Sequence, residues 1–131
     1  HTLLIYGDLV FNSPTIRNLV DGKSKVVVDS KQKIKEEEVG VLFGKDGVTH
    51  FSYAIDTKWC QIAYLAPKET QLFEEISSNI DCERWFGYET MNEIIERGGS
   101  FDSVEPSGMK IAEIDSPKDL RSAINVAMTS R

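Results

Sequence analysis

The sequence predicts an α/β fold over residues 1–131 as a single domain, with a mixed, mostly parallel sheet, a β-hairpin and flanking helices. Three observations carry that expectation. Short runs of β-branched and aromatic residues alternate with amphipathic stretches at helical spacing. The runs stop at Gly-Asp, Asp-Ser and Ala-Pro steps, which punctuate strand ends and turns. No linker, repeat or low-complexity tract divides the chain.

Composition narrows the functional classes. At 131 residues the chain can bury roughly two thirds of its unfolded surface in one core. Hydrophobic residues at 40% and charged residues at 27% are ordinary for a soluble domain, and no apolar run is long enough for a membrane span. The formal charge of −6 argues against a nucleic-acid surface, since no Lys/Arg stripe is available to displace counterions from phosphates. Cys60 and Cys82 form neither a CxxC pair nor a Cys/His cluster, so they read as free, mostly buried thiols. With no basic, apolar leader the expected compartment is the cytoplasm. The chain opens on His1 directly ahead of a core strand, which reads as a piece of something longer.

The first element, Thr2 to Tyr6, is a short apolar strand that ends in Gly7-Asp8. Open α/β sheets bind ligands at the carboxyl ends of their strands, and there Asp8 is either a hard oxygen ligand or a turn-former bonding its own backbone. Ser13-Pro14 starts a two-turn helix with Ile16, Leu19 and Val20 on one face, stopped by Gly22. Lys25 to Asp29 is a buried strand, with Asp29 read as a turn residue. Residues 31–38 hold three lysines, three glutamates and the single apolar Ile34, the pattern of a solvated face or loop. Two strands around Gly44-Lys45-Asp46-Gly47 make the hairpin, on which His50 reads as a solvent-facing residue. A strand through Trp59 to Leu65 is followed by a helix over 68–79, with Leu72, Phe73, Ile76 and Ile80 on one face. A second helix over 83–97 buries Tyr88, Met91, Ile94 and Ile95. Strands at 101–104 and 109–115 come next, the latter alternating Met109, Ile111 and Glu113 against Lys110, Ala112 and Ile114. Ser116-Pro117 caps a last helix carrying Leu120, Ala123, Ile124 and Ala127.

Two segments together carry a resemblance: Leu4-Ile5-Tyr6-Gly7-Asp8-Leu9-Val10-Phe11, and Ile111-Ala112-Glu113-Ile114-Asp115-Ser116-Pro117-Lys118-Asp119-Leu120. They resemble the Gly-Asp-x-x-Phe and Glu-Ile-Asp-(Ser/Thr)-Pro-x-Asp-Leu signatures of small Rossmann-like nucleotidyltransferases, the phosphocholine and phosphonate cytidylyltransferases and their sugar-phosphate relatives. The resemblance covers the whole chain but only the carboxyl-terminal half of the family's catalytic domain.

It implies a partial Rossmann-like nucleotidyltransferase fold and a Mg²⁺-dependent reaction. In that reaction a nucleoside triphosphate, with CTP or UTP favoured, gives its nucleoside monophosphate to a small phosphorylated or phosphonate acceptor and releases pyrophosphate. Asp8 and Asp115 match the family's two catalytic, metal-binding aspartates, since Mg²⁺ needs hard carboxylates on a rigid frame. Glu113 joins them in an orienting role or, alternatively, makes a salt bridge. The family's amino-terminal Gly-rich loop, which cradles the triphosphate, has no counterpart here, and Lys58-Trp59-Cys60-Gln61 stands where relatives show Gly-Glu. The aromatic residues Trp59, Tyr64, Trp85 and Tyr88 either face a cationic acceptor or belong to the core, and burial preference favours the core. The missing loop also supports a rival reading, a non-catalytic remnant or binding and oligomerisation domain. An open sheet edge at residues 3–6 would then template pairing with another copy, so a homo-oligomer is expected.

Overall fold

A computed structural model of the chain describes residues 1–7, 9–79, 85, 87–114, 124 and 126. Its strands are β1 (Thr2–Ile5), β2 (Leu9–Phe11), β3 (Lys25–Asp29), β4 (Val39–Gly44), β5 (Gly47–Tyr53), β6 (Thr57–Leu65), β7 (Asp102–Val104) and β8 (Ile111–Glu113). Among the described residues the helices α1 (Pro67–Ser77) and α2 (Gly87–Glu96) follow β6. The main sheet runs β5-β4-β6-β3-β7 with β1 also on β6, and β2 and β8 form a separate two-stranded sheet.

The nine residues of β6 make it the spine. β3 lies along one side, while β4 pairs with its first two residues and β1 with Ile62 to Leu65 on the other. The α/β class and the mixed sheet are the expected ones; the balance within the sheet is the new finding. The β3–β7 pair is parallel, and every other pairing among the described residues is antiparallel. Short connections impose this among β4, β5 and β6, because a parallel pair needs a crossover of a dozen residues or more.

β-Branched alternation puts the two sheet faces into two cores. Val26, Val28, Val41, Phe51, Trp59, Ala63 and Leu65 meet Ile76 of α1 and Met91 and Ile94 of α2. Val27, Cys60, Ile62 and Tyr64 lie on the other face with Leu19, against Leu9, Phe11, Met109 and Ile111. Burying side chains of this size contributes roughly 1.5–3 kcal/mol each. Trp59 and Tyr64 are core residues, and Trp85 and Tyr88 pack at its margin. The expected alternation at 109–114 holds: Met109 and Ile111 serve that second face, while Ala112 and Ile114 join a small cluster with Val126.

Three expectations change. The helix expected from Ser13 to Gly22 contracts to a 3₁₀ turn, Ser13–Thr15, and Asn18 enters the left-handed region at φ 63°. Buried polar bonds displace the helix. Asn12 Nδ2 donates to the Gly108 carbonyl at 2.9 Å, and Asn12 Oδ1 accepts from Thr15 Oγ1 at 2.8 Å and Lys110 N–H at 2.9 Å. Second, Leu9–Phe11 is a strand in its own right, paired with Ile111–Glu113. Third, Ile124, expected on the apolar stripe of the last helix, is 55% exposed, whereas Val126 is buried. The rest of that helix, and residues 83, 84 and 86 of the helix expected over 83–97, lie outside the described residues.

The 31–38 run is irregular, as its composition predicts. One carboxylate ties it down: Glu38 Oε1 accepts the Lys35 N–H at 2.9 Å, and Glu38 Oε2 pairs with Lys58 Nζ at 2.6 Å.

Candidate functional site

Asp8 and Asp115 lie outside the described residues, so the site is built here from their neighbours. The segment after Asp8 and the segment before Asp115 are hydrogen-bonded strands, with Leu9 opposite Glu113, Val10 opposite Ala112 and Phe11 opposite Ile111. Apolar side chains on alternate positions hold this small sheet against the main one, and the Asn12 bonds lock its far end.

Glu113 is the predicted site residue that the structure describes. Its Oε1 lies 3.4 Å from Lys58 Nζ and accepts from Gln61 Nε2 at 3.5 Å. Lys58 thus joins Glu38 and Glu113. Burial alone would lower its pKa, but the hydrogen bond to Glu38 and the charges of Glu113 and Glu38 outweigh it and hold the ammonium above the ordinary lysine value. Partial burial would raise the pKa of Glu38. The hydrogen bonds from Lys58 and the Lys35 N–H, with the charges of both lysines, lower it below the ordinary carboxylate value instead. Both partners therefore stay charged across neutral pH.

Gln61 sits at the centre of this arrangement, in a conformation unusual for a strand residue. Its φ is 64°, inside β6, where the register against β3 shifts between Val26 and Val28. The bulge re-aims its side chain toward Glu113, while its carbonyl accepts the Tyr6 N–H at 2.9 Å. Gly7 makes the complementary adjustment: its φ is 79°, and a Cβ there would lie 3.2 Å from Gln61 Oε1. The sequence marks Gln61 only as part of the Lys58–Gln61 departure from the family pattern, because no side-chain property announces a left-handed backbone. Left-handed strain in a non-glycine residue costs on the order of 1–2 kcal/mol. Gln61→Gly is therefore expected to raise the melting temperature by a few degrees in a calorimetric scan.

A cavity of about 700 Å³ opens beside these residues, between the 31–38 segment, β6 and β8. Cys60 lines it, yet burial and the nearby Asp29 carboxylate push its thiol up to about 12. At pH 8 the native protein should leave Cys60 unmodified by iodoacetamide, as read by peptide mass mapping, and denaturant should expose it. Among the described residues no group of three His, Cys, Asp or Glu side chains is arranged to hold a metal ion.

The architecture is the Rossmann-like α/β fold of the nucleotidyltransferases. Over 98% of its length the chain matches the inositol-1-phosphate CTP transferase from T. maritima, with a TM-score of 0.65, 18% identity and coverage of 54% of that chain. A Bacillus anthracis protein assigned as a glucose-1-phosphate thymidylyltransferase, crystallised with a sucrose, matches over the same 98%. Its TM-score is 0.63 and its identity 14%, again with 54% of that chain covered. At these identities the likeness is one of fold, and the chain spans about half the length of the solved structures it matches. No family model and no curated protein sequence matches the chain.

Proposed function

We propose that this chain is the acceptor-side half of a Mg²⁺-dependent nucleotidyltransferase of the cytoplasm. In complete form the enzyme would transfer a nucleoside monophosphate from CTP or UTP to a small phosphorylated or phosphonate acceptor. The observation that carries the reading is the β2–β8 pairing, which makes neighbours of the residue after Asp8 and the residues before Asp115. Two carboxylates on adjacent segments suit a divalent ion; Asp8 and Asp115 would hold it, and it would supply positive charge to offset that of the phosphates. An acceptor oxygen forms the bond to the α-phosphorus as the bond to pyrophosphate breaks, so the protein's task is positioning and charge stabilisation. Glu113, steadied by Lys58 and Gln61, orients the strand end that carries Asp115.

A second reading is an assembly domain that keeps the fold without the nucleotide site. One observation favours it. Among the described residues β1 pairs only with β6, and Leu3 and Ile5 on it are 39% and 44% exposed. An unpaired edge with apolar side chains templates strand addition, and either reading is compatible with a homo-oligomer.

Calorimetric titration with CTP, UTP, GTP and ATP, each with and without Mg²⁺, separates the two. Mg²⁺-dependent binding that favours one base supports the enzyme. No binding by a well-folded sample is the outcome expected of an acceptor-side half without the family's triphosphate-cradling loop, and a dimer in sedimentation beside it supports the assembly domain; a monomer at high concentration removes the oligomer from both.

A further inference from the structure

Residues 31–37, in the connection between β3 and β4, form one wall of the cavity beside Gln61. Gln32, Lys33, Lys35 and Glu37 line it there, while Cys60 and Gln61 line it from β6. The segment has little apolar surface with which to hold itself down, since Ile34 is its one hydrophobic residue. Among the described residues each hydrogen bond it makes ends on Asp29 or Glu38, at its own borders. The flanks, by contrast, are tied to other elements. Ser30 N–H and Oγ donate to the two Glu105 carboxylate oxygens at 3.2 and 2.6 Å, and the Glu38 carbonyl accepts the Ala54 N–H at 2.8 Å. Two pins hold the middle. Ile34 Cδ1 lies 2.7 Å from where a Cβ on Gly40 would stand, and the Glu38 carboxylate grips the Lys35 N–H with one oxygen and Lys58 Nζ with the other.

We propose that residues 31–37 are a flap that closes this cavity and swings clear between hinges at Ser30 and Glu38, with Lys58 as its latch. Anchored ends with a weakly held middle are what a segment needs to open without disturbing the sheet beneath it. The latch is shared. Lys58 Nζ lies 2.6 Å from Glu38 Oε2 and 3.4 Å from Glu113 Oε1, so the carboxylate on the flap and the carboxylate of the candidate site compete for one ammonium. Both contacts are largely screened from water, which strengthens them over an exposed pair. Anything that draws Glu113 away leaves Lys58 wholly to Glu38 and holds the flap down harder. Such a flap gates the cavity whether the chain is half of an enzyme or an assembly domain, so its failure leaves the nucleotide titrations above untouched.

The test is limited trypsin digestion of the full chain, read by peptide mass, beside alkylation of Cys60 by iodoacetamide. The flap carries three cleavage sites, Lys31, Lys33 and Lys35, and Cys60 lines the cavity. Cleavage after Lys25, within β3 of the main sheet, reports global unfolding. Glu38→Gln and Ile34→Ala are each expected to raise flap cleavage and Cys60 alkylation about tenfold relative to cleavage after Lys25, since both rates follow the open population. Glu113→Gln, which leaves Lys58 to Glu38, should slow flap cleavage or leave it as it is. Four results overturn the proposal. They are flap cleavage in the parent as fast as in a free peptide of residues 29–39, a rise in the variants matched by cleavage after Lys25, faster flap cleavage with Cys60 alkylation unchanged, and a Glu113→Gln flap that opens as far as that of Glu38→Gln.

Discussion

Gly40→Ala is expected to destabilise the protein by about 3 kcal/mol or more, since a Cβ there makes the tightest contact of any of the glycines. Gly40 is buried in β4 between its pairings with Ser52 of β5 and Lys58 of β6. A Cβ there would lie 1.7 Å from the Ile55 carbonyl oxygen and 2.7 Å from Ile34 Cδ1. The carbonyl is backbone, held in the connection between β5 and β6, so relief requires those strands to separate. Ile34 is the apolar member of the charged 31–38 run, and its contact with Gly40 fastens that run over the cavity. The substitution should therefore lower the melting temperature by roughly 10 °C. A melting temperature within two or three degrees of the parent would show that the β5–β6 connection yields more easily than its packing implies.

The second large effect concerns chemistry. In a complete version of the enzyme, Asp8→Asn and Asp115→Asn are each expected to lower Mg²⁺-dependent turnover by ~10³-fold or more. An amide keeps the size of the carboxylate and loses the charge a hard divalent ion requires, so the melting temperature should stay near that of the parent. Steady-state pyrophosphate release, measured for both variants beside the parent, checks it. Unchanged turnover in either variant would remove that aspartate from the metal site.

Much of the fold was legible because its signals are local. The β-branched run Val26-Val27-Val28, the glycine-flanked turn at Lys45-Asp46 and the helical spacing of Met91, Ile94 and Ile95 each depend on residues within a few positions of one another. β2 was not legible, since three residues make a strand only when a partner about a hundred positions away completes the ladder. The helix expected after Ser13 failed for a related reason: Asn12 and Thr15 are committed to Lys110 and Gly108, and no window on residues 12–22 contains that competition. At the site, Glu113 was recognised through the pattern around it, and its salt bridge was one of the two roles considered. Lys58 registered only as a departure from that pattern. Gln61 stood in the same departure, and its role was not legible because it lies in a backbone angle.

The long span between β2 and β8 also sets an order of events. The Asn12–Lys110 bond closes a loop of 98 positions, whereas the β4–β5 hairpin joins across a two-residue turn. Closure entropy favours the near pairings, so β1, β3 and the hairpin can gather on β6 while Leu9–Phe11 waits for a strand from the far end of the chain. The proposed centre is thus assembled on a finished scaffold. Local opening can release β2 and β8 without unfolding β6, so their amides are expected to exchange faster than those of β6.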